Sequence, residues 1–319
     1  MAFKVANPRS RDASSAIELL LRQAMTEIEP TPSQKDGARR SHNHLRDLLD
    51  TGQMAARILN SYLSGSYARD TAVRPLDDVD VIFEIDQSAW NTGIFASLPE
   101  PERVLESFAT AIRRRYAVSS VFGQRRSVRL ELNHLDIDVV PAIADAARPG
   151  LIRIPDRQSG DWIRSAPQLH SQNSTQVNRL RSGKFKPLVK LAKFWNSNLP
   201  ESARCKSFTI ETMAVRIFGE TGFATIGEGL LLFWDFLASR YDHPKLAKWS
   251  TNFGMSFGWI LISVPDAAGT GSNTAAYMDD ARARALAQKA RISRDRLLAA
   301  YEARFDDTRE QHVLDALRA

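Results

Sequence analysis

The sequence has 319 residues, of which 43% are hydrophobic and 25% charged, a balance that is typical of folded globular proteins and excludes a wholly disordered chain. No apolar run approaches the roughly 20 residues that span a bilayer, and the single cysteine excludes an internal disulfide, so we expect a cytoplasmic protein without a membrane segment. The formal net charge of +6 favours polyanionic partners, but it does not distinguish nucleotides from nucleic acids.

The first half of the sequence predicts two helices followed by strands. Apolar residues recur at intervals of three and four from about residue 12 to 28, which predicts one helix. Thr31 and Pro32 form an N-cap and first-turn pair for a second helix, which runs to about Asp50. Another helix is expected to start near Pro101. Four short apolar runs predict strands at 58–63, 79–85, 128–132 and 135–140.

The second half of the sequence predicts mainly helices. Helical periodicity is found at 177–181, 185–195, 207–218, 228–240 and 281–305. The segment 144–173 is rich in proline and glycine and is expected to be an irregular connection between two lobes. We therefore expect an α/β (α+β) protein, with an α/β part over 1–165 that includes the N-terminal helices and a mainly helical part over 166–319.

Two aspartates are placed at the start of an apolar strand. Asp78 and Asp80 are two residues apart, so a strand directs both side chains to the same face. Like charges beside a buried strand are unfavourable unless a cation meets them, and Mg²⁺ prefers carboxylate oxygens. The pair therefore predicts a metal site. Two alternatives stay open, namely a solvated edge strand and a cap of the turn after residues 75–77.

A glycine and a serine end the strand before this pair. Gly65 and Ser66 follow the run 58–63, and they lie twelve residues or more before Asp78. Glycine permits close approach, and the backbone amides of such a turn, together with the serine hydroxyl, donate hydrogen bonds to phosphate oxygens. The turn therefore predicts a phosphate site. Arg69 and Arg74 either add positive charge there or lie on the surface.

A third carboxylate is expected from a neighbouring strand. Asp136 and Asp138 both interrupt the apolar run 135–142 and share a face. We choose Asp138 because it directly precedes Val139 and Val140, whereas Asp136 is nearer to a polar turn. Asp138 is also the expected general base for an attacking hydroxyl. Its alternative is a surface aspartate at the end of a strand.

Together these motifs resemble those of a known superfamily. The order Gly65-Ser66, then Asp78-x-Asp80, then Asp138-Val-Val-Pro-Ala resembles the polymerase-beta-like nucleotidyltransferases. The longer stretch 65–81 looks like that of the bacterial cGAS/DncV-like nucleotidyltransferases (CD-NTases), relatives of oligoadenylate synthase. Segments 185–196 and 206–211 are similar to the family's lysine-bearing helix and to its following serine-aromatic segment.

The resemblance implies a fold and a set of site residues. It implies a bilobed nucleotidyltransferase, with a catalytic core over 1–165 and a helical C-terminal lobe over 166–319 that completes the nucleotide pocket. Two Mg²⁺ ions, with Mn²⁺ as an alternative, are expected on Asp78, Asp80 and Asp138, which are also the catalytic residues. The expected nucleotide-binding residues are Gly65, Ser66, Lys193 and Ser207. As alternatives, Lys193 is a solvated helical lysine, and Ser207 is a helix N-cap.

The resemblance also implies a reaction. It implies that ribonucleoside triphosphates, ATP among them, are joined into a cyclic di- or trinucleotide with release of pyrophosphate, and that no nucleic acid is required. The product is expected to activate an effector protein in bacterial anti-phage signalling. Two alternatives remain. One is an RNA-tailing or linear oligoadenylate-forming transferase, and the other is a catalytically silent nucleotide-binding protein.

Overall fold

The computed structural model describes residues 8–90, 98–238, 255–256, 259–260 and 263–318. The helices in this part of the chain are α1 (Pro8–Ile28), α2 (Pro32–Thr51), α3 (Gly65–Ala68), α4 (Pro101–Arg115), α5 (Pro167–Leu180), α6 (Phe185–Asn198), α7 (Ser207–Glu220), α8 (Ile226–Ala238), α9 (Asp280–Glu302) and α10 (Asp306–Leu317). The strands there are β1 (Ile58–Ser64), β2 (Asp78–Ile85), β3 (Val121–Gly123), β4 (Val128–Glu131), β5 (Asp136–Ala144), β6 (Ile152–Asp156), β7 (Asp161–Ser165), β8 (Met255–Ser256) and β9 (Trp259–Ile260).

The chain divides into two compact units. The sheet unit comprises residues 30–172, and the helical unit comprises residues 1–29 together with 173–319. The first helix was expected to belong with the α/β part, but α1 lies in the helical unit. It does so because its apolar stripe, which includes the fully buried Ile17 and Leu21, packs against α6, α8, α9 and α10. Among the helices of the described residues, none has the length and apolar character required to cross a membrane.

The sheet unit is built on one mixed sheet. Its strands follow the order β1-β2-β5-β4-β3, and the hairpin of β6 and β7 continues from the end of β5. Strands β2 and β5 are parallel, whereas the other pairs in the sheet are antiparallel. Helix α2 contacts β1 and β2, and α4 contacts β4 and β5. The sheet thus places the two predicted aspartate strands next to each other.

Alternation along β2 separates a core face from a polar face. Val79, Val81 and Phe83 are fully buried in the main core of the sheet unit, where they pack with residues of α2 and α4. Because side chains alternate along a strand, Asp78 and Asp80 lie on the opposite face. The buried residues therefore fix the face on which the carboxylates are presented.

Two of the predicted helix starts are confirmed. Thr31 caps α2 through a capping box, in which its hydroxyl accepts from Gln34 N at 3.2 Å and the Gln34 side chain accepts from Thr31 N at 3.0 Å. Pro101 is the first residue of α4. These starts are local signals, so they do not depend on the rest of the fold.

The expectation of an irregular connection over 144–173 is wrong. Strands β6 and β7 form a hairpin in this segment, with Pro155 paired to Trp162, and α5 begins at Pro167. The strands have five residues each, and the hairpin turn contains Gly160 in a left-handed conformation. Turn-forming residues so close together hide the short strands from a search for periodicity.

In the helical unit, most of the predicted helices are present, with different ends. The helix predicted over 228–240 corresponds to α8, and residues 239–240 lie outside the described part of the chain. The helix predicted over 281–305 is α9, which ends at Glu302 and is followed by the separate helix α10.

Candidate functional site

Four side chains form one row across four strands of the sheet. Ser64 on β1 is the register partner of Asp80 on β2, and Asp80 is the partner of Asp138 on β5. Asp138 is in turn the partner of Arg129 on β4. Because neighbouring strands lie about 4.8 Å apart, the two aspartates of the row are side by side. The sheet thus brings together two of the carboxylates predicted from the sequence.

A second pair of carboxylates lies one step along the same strands. Asp78 and Asp136 are register partners, two residues before Asp80 and Asp138 respectively. By alternation, all four carboxylates belong to one face of the parallel pair β2 and β5. This face therefore concentrates negative charge.

The alternative interpretations of these aspartates do not fit the structure. Strand β2 lies between β1 and β5, so Asp78 and Asp80 are not on an edge strand. They are residues of the strand itself and not of the turn before it. Asp138 is only 8% exposed and lies in the body of β5, so it is not a surface residue at a strand end.

Gly65 approaches the Asp80 carboxylate closely. It directly follows β1 and opens the four-residue helix α3, with a φ of +69° that disfavours other residues. A Cβ atom at this position would overlap with the carboxylate and would lie 2.8 Å from Asp80 Cγ. Ser66 lies in the same turn, where its carbonyl accepts from Thr71 N at 2.9 Å. The predicted Gly-Ser turn therefore lies beside Asp80, which together with Asp138 forms the carboxylate row.

Arg129 binds the two aspartates of β5. Its Nε donates to Asp138 Oδ1 at 3.0 Å and its Nη2 donates to Asp138 Oδ2 at 2.8 Å, which makes a two-point contact. Its Nη1 donates to Asp136 Oδ2 at 3.1 Å. The sequence reasoning missed this residue. The sequence feature that could have indicated Arg129 is a charged residue within an apolar strand. Its two neighbours in the chain, Val128 and Leu130, are fully buried.

The surroundings of Asp80 raise the pKa of its carboxyl group to about 7. Burial is the largest cause, because protein atoms surround the carboxylate although the residue as a whole is partly exposed. Repulsion from Asp78 and Asp138 adds to the increase, and attraction by Arg69 and Arg129 opposes it. Of the two arginines considered in the sequence, Arg69 is buried, and Arg74 is exposed.

The chemistry of this donor set fits a hard divalent cation. Asp78, Asp80 and Asp138 offer oxygen ligands on one face, and their mutual repulsion is the kind that a cation relieves. Among the residues that the structure describes, no three His, Cys, Asp or Glu side chains are arranged so that they could hold a metal ion. Both oxygens of Asp138 are directed to Arg129.

The other two predicted residues belong to the helical unit. Lys193 on α6 is not a solvated lysine, because its Nζ lies 3.0 Å from Glu211 Oε1 on α7 and the two side chains are only 5% and 6% exposed. Ser207 is exposed and is the first residue of α7, whose N-cap position is Lys206. The interpretation of Ser207 as the N-cap is therefore wrong.

Comparison with protein families and with curated proteins gives related sequences. Residues 17–178, about half of the chain, match the family model of the Second Messenger Oligonucleotide or Dinucleotide Synthetase domain. A cyclic AMP-AMP-AMP synthase of an Acinetobacter species is 33% identical over 202 residues, which cover 60% of this chain and 56% of that relative. The chain therefore spans little more than half the length of this relative.

Solved structures show the same fold. The structure of Escherichia coli MS115-1 CdnC with ATP has a TM-score of 0.73 at 20% identity and covers 96% of this chain and 98% of that one. The Bradyrhizobium diazoefficiens CD-NTase CdnG in complex with GTP has a TM-score of 0.68 at 14% identity and covers 95% and 98%. These similarities confirm the predicted α+β fold of the polymerase-beta-like nucleotidyltransferases.

Proposed function

Because the chain belongs to the family of Second Messenger Oligonucleotide or Dinucleotide Synthetase domains, we propose that it joins ribonucleoside triphosphates into a cyclic oligonucleotide and releases pyrophosphate. The membership confirms the resemblance to bacterial CD-NTases that the motifs indicated. The observation that carries the proposal is the carboxylate row, in which Asp80 and Asp138 lie side by side and Gly65 lies against Asp80. Metal-assisted nucleotidyl transfer uses carboxylates as cation ligands, and the sheet supplies such carboxylates beside a turn that phosphate can approach closely.

The carboxylates have distinct roles in this proposal. Asp78, Asp80 and Asp138 would hold divalent cations, for which Mg²⁺ is our first choice and Mn²⁺ the alternative. When bound, such cations neutralise the charge that develops on the phosphate and on the leaving pyrophosphate. Asp138 would accept the proton of the attacking hydroxyl.

The nucleotide is held by other residues of the chain. The backbone amides of the Gly65-Ser66 turn and the Ser66 hydroxyl would donate hydrogen bonds to phosphate oxygens. The resemblance assigns Lys193 and Ser207 to the triphosphate of the donor nucleotide, and we propose these roles on that ground. A cationic Lys193 side chain suits a triphosphate as a point charge.

The product is proposed from the relatives. Because the Acinetobacter relative is a cyclic AMP-AMP-AMP synthase, ATP is the first substrate to test and a cyclic triadenylate the first product to look for. A cyclic dinucleotide remains the second choice. The role of the product in anti-phage signalling, through an effector protein that it activates, is proposed from the resemblance to the family.

One incubation tests the proposal. The purified chain is incubated with Mg²⁺ and the four ribonucleoside triphosphates, without RNA, and the products are treated with phosphatase and identified by mass spectrometry. We expect a phosphatase-resistant cyclic oligonucleotide that the variant Asp78→Asn/Asp80→Asn does not make. Products that require added RNA would instead support an RNA-tailing transferase. A chain that binds nucleotides but forms no product would support the silent alternative.

A further inference from the structure

Four carboxylates share one face of β2 and β5, and only one of the two strands has its carboxylates bound by Arg129. This arginine contacts both oxygens of Asp138 and one oxygen of Asp136, all on β5. Its side chain is 25% exposed, and it reaches the row from β4, the strand on the far side of β5 from β2. Both oxygens of Asp138 are therefore engaged in a contact within the sheet.

We propose that Arg129 is the resident counter-ion of Asp138, and that a divalent cation has to displace it from one Asp138 oxygen before Asp138 joins Asp78 and Asp80. Arg129 is thus a positioning residue that sets the cation affinity of the carboxylate face. The inference rests on the proposed function, since it uses the same three carboxylates as cation ligands.

The geometry supports displacement rather than a permanent lock. A carboxylate has two oxygens, and Arg129 occupies both of those of Asp138. Arginine keeps its charge at any physiological pH, so protonation does not release the contact. Asp136 provides a second partner through Nη1 at 3.1 Å. Arg129 can therefore keep Asp136 while one oxygen of Asp138 turns to the cation.

The positive charge of Arg129 opposes cation binding, as do its contacts with Asp138. The guanidinium contacts Asp138, which is the register partner of Asp80, so its positive charge acts on the β2 carboxylates as well. A fixed positive charge beside the carboxylates repels a divalent cation and so weakens its binding there. If Arg129 acted through its charge alone, Arg129→Lys would bind the cation as weakly as the unchanged chain does.

Mn²⁺ binding to the intact chain tests the inference. Free Mn²⁺ is followed by electron paramagnetic resonance during titration of the purified chain, without nucleotide. We expect Arg129→Ala to bind Mn²⁺ about tenfold more tightly than the unchanged chain, since a charge near the site is removed and Asp138 is released. Arg129→Lys keeps the charge but not the two-point contact, so its affinity should lie between these two.

Arg164→Ala is a matched control. Arg164 Nε donates to the buried Asp145 at 3.0 Å, so this variant also removes one arginine from one carboxylate of the same unit. Asp145 follows β5 and is seven residues from Asp138, or about 23 Å along an extended strand, which is well beyond the screening length. Its Mn²⁺ affinity should equal that of the unchanged chain.

The outcomes separate this inference from the proposed function. The proposal that the cation displaces Arg129 would be contradicted if Arg129→Ala bound Mn²⁺ no more tightly than the unchanged chain, while Arg164→Ala bound it equally well. Should Arg129→Ala not fold, Arg129→Gln and Arg129→Lys decide in the same way. Failure of the proposed function appears elsewhere, as a chain that binds Mn²⁺ but makes no cyclic product, or as Mn²⁺ binding that survives in Asp78→Asn/Asp80→Asn.

Discussion

Gly65 lies against the carboxylate of Asp80, and the space between them is too small for a Cβ atom on residue 65. Gly65 directly follows β1 and Asp80 lies near the start of β2, and these two strands pair through Ser64 and Asp80. The contact therefore couples the predicted phosphate turn to the predicted cation ligand. A side chain at residue 65 would therefore displace the Asp80 carboxylate.

We predict that Gly65→Ala abolishes product formation. The added methyl group displaces the Asp80 carboxylate, and the positive φ of residue 65 destabilises the fold by about 1 kcal/mol. Gly160→Ala is the matched control, because Gly160 has a similar φ of +72° but no atom within 4 Å of an added Cβ. Thermal unfolding and initial rates are measured for both. Equal activity of the two variants would contradict a role for the contact.

The double variant Asp78→Asn/Asp80→Asn is predicted to be inactive and at least as stable as the unchanged chain. Two carboxylates are lost as cation ligands, and both the burial of a charged Asp80, which is the main cause of its raised pKa, and the repulsion between the carboxylates are relieved. Asp161→Asn, on an exposed residue of β7, controls for the loss of a carboxylate. Product yield and the melting temperature are the two measurements. A double variant that still makes product would show that these residues do not carry the reaction.

The sequence predicted the members of this site better than their arrangement. Alternation is a local property, so the common face of Asp78 and Asp80 follows from their spacing alone. The pairing of β2 with β5 is a tertiary contact between segments more than fifty residues apart. Which residue of β4 stands opposite Asp138 depends on strand register, and Arg129 could not be assigned to the row before that register was known.

The same distinction explains the differences at the level of the fold. Helix α1 was predicted from its apolar stripe, but a stripe does not reveal which partner covers it. Ile17 and Leu21 are covered within the helical unit, although the helix precedes the sheet unit in the chain. The buried partner of Lys193 was hidden for the same reason, since Glu211 lies on a different helix.

The raised pKa of Asp80 predicts a pH dependence of stability. The pKa is about 7 in the folded chain and 3.8 in an ordinary aspartate, so the folded state binds the proton more tightly. This contribution is complete below pH 4 and is lost as the pH rises to about 7, over which it amounts to about 4 kcal/mol. The variant Asp80→Asn has no titrating carboxyl group at this position, so its unfolding free energy should not show this decrease. Urea unfolding at pH 5 and pH 7.5 should therefore show a larger decrease in the unfolding free energy for the unchanged chain.

Parallel changes in the two proteins between pH 5 and pH 7.5 would contradict the assignment of the shift to Asp80. Acidic groups that do not interact with Asp80 titrate alike in both proteins, so their contributions to the unfolding free energy cancel in the comparison. Asp161→Asn, which changes a residue outside the carboxylate row, should show the same pH dependence of the unfolding free energy as the unchanged chain.

The buried pair of Lys193 and Glu211 allows structural and functional roles to be separated. Lys193→Met removes the ammonium that lies 3.0 Å from Glu211, and loss of one member of a buried pair costs about 3 kcal/mol. The double variant Lys193→Met/Glu211→Gln removes both charges, so we expect it to regain most of that stability. If Lys193 also binds the triphosphate, the double variant stays at least tenfold less active, with a raised KM for ATP. Stability and activity that recover together would show that Lys193 serves the fold alone.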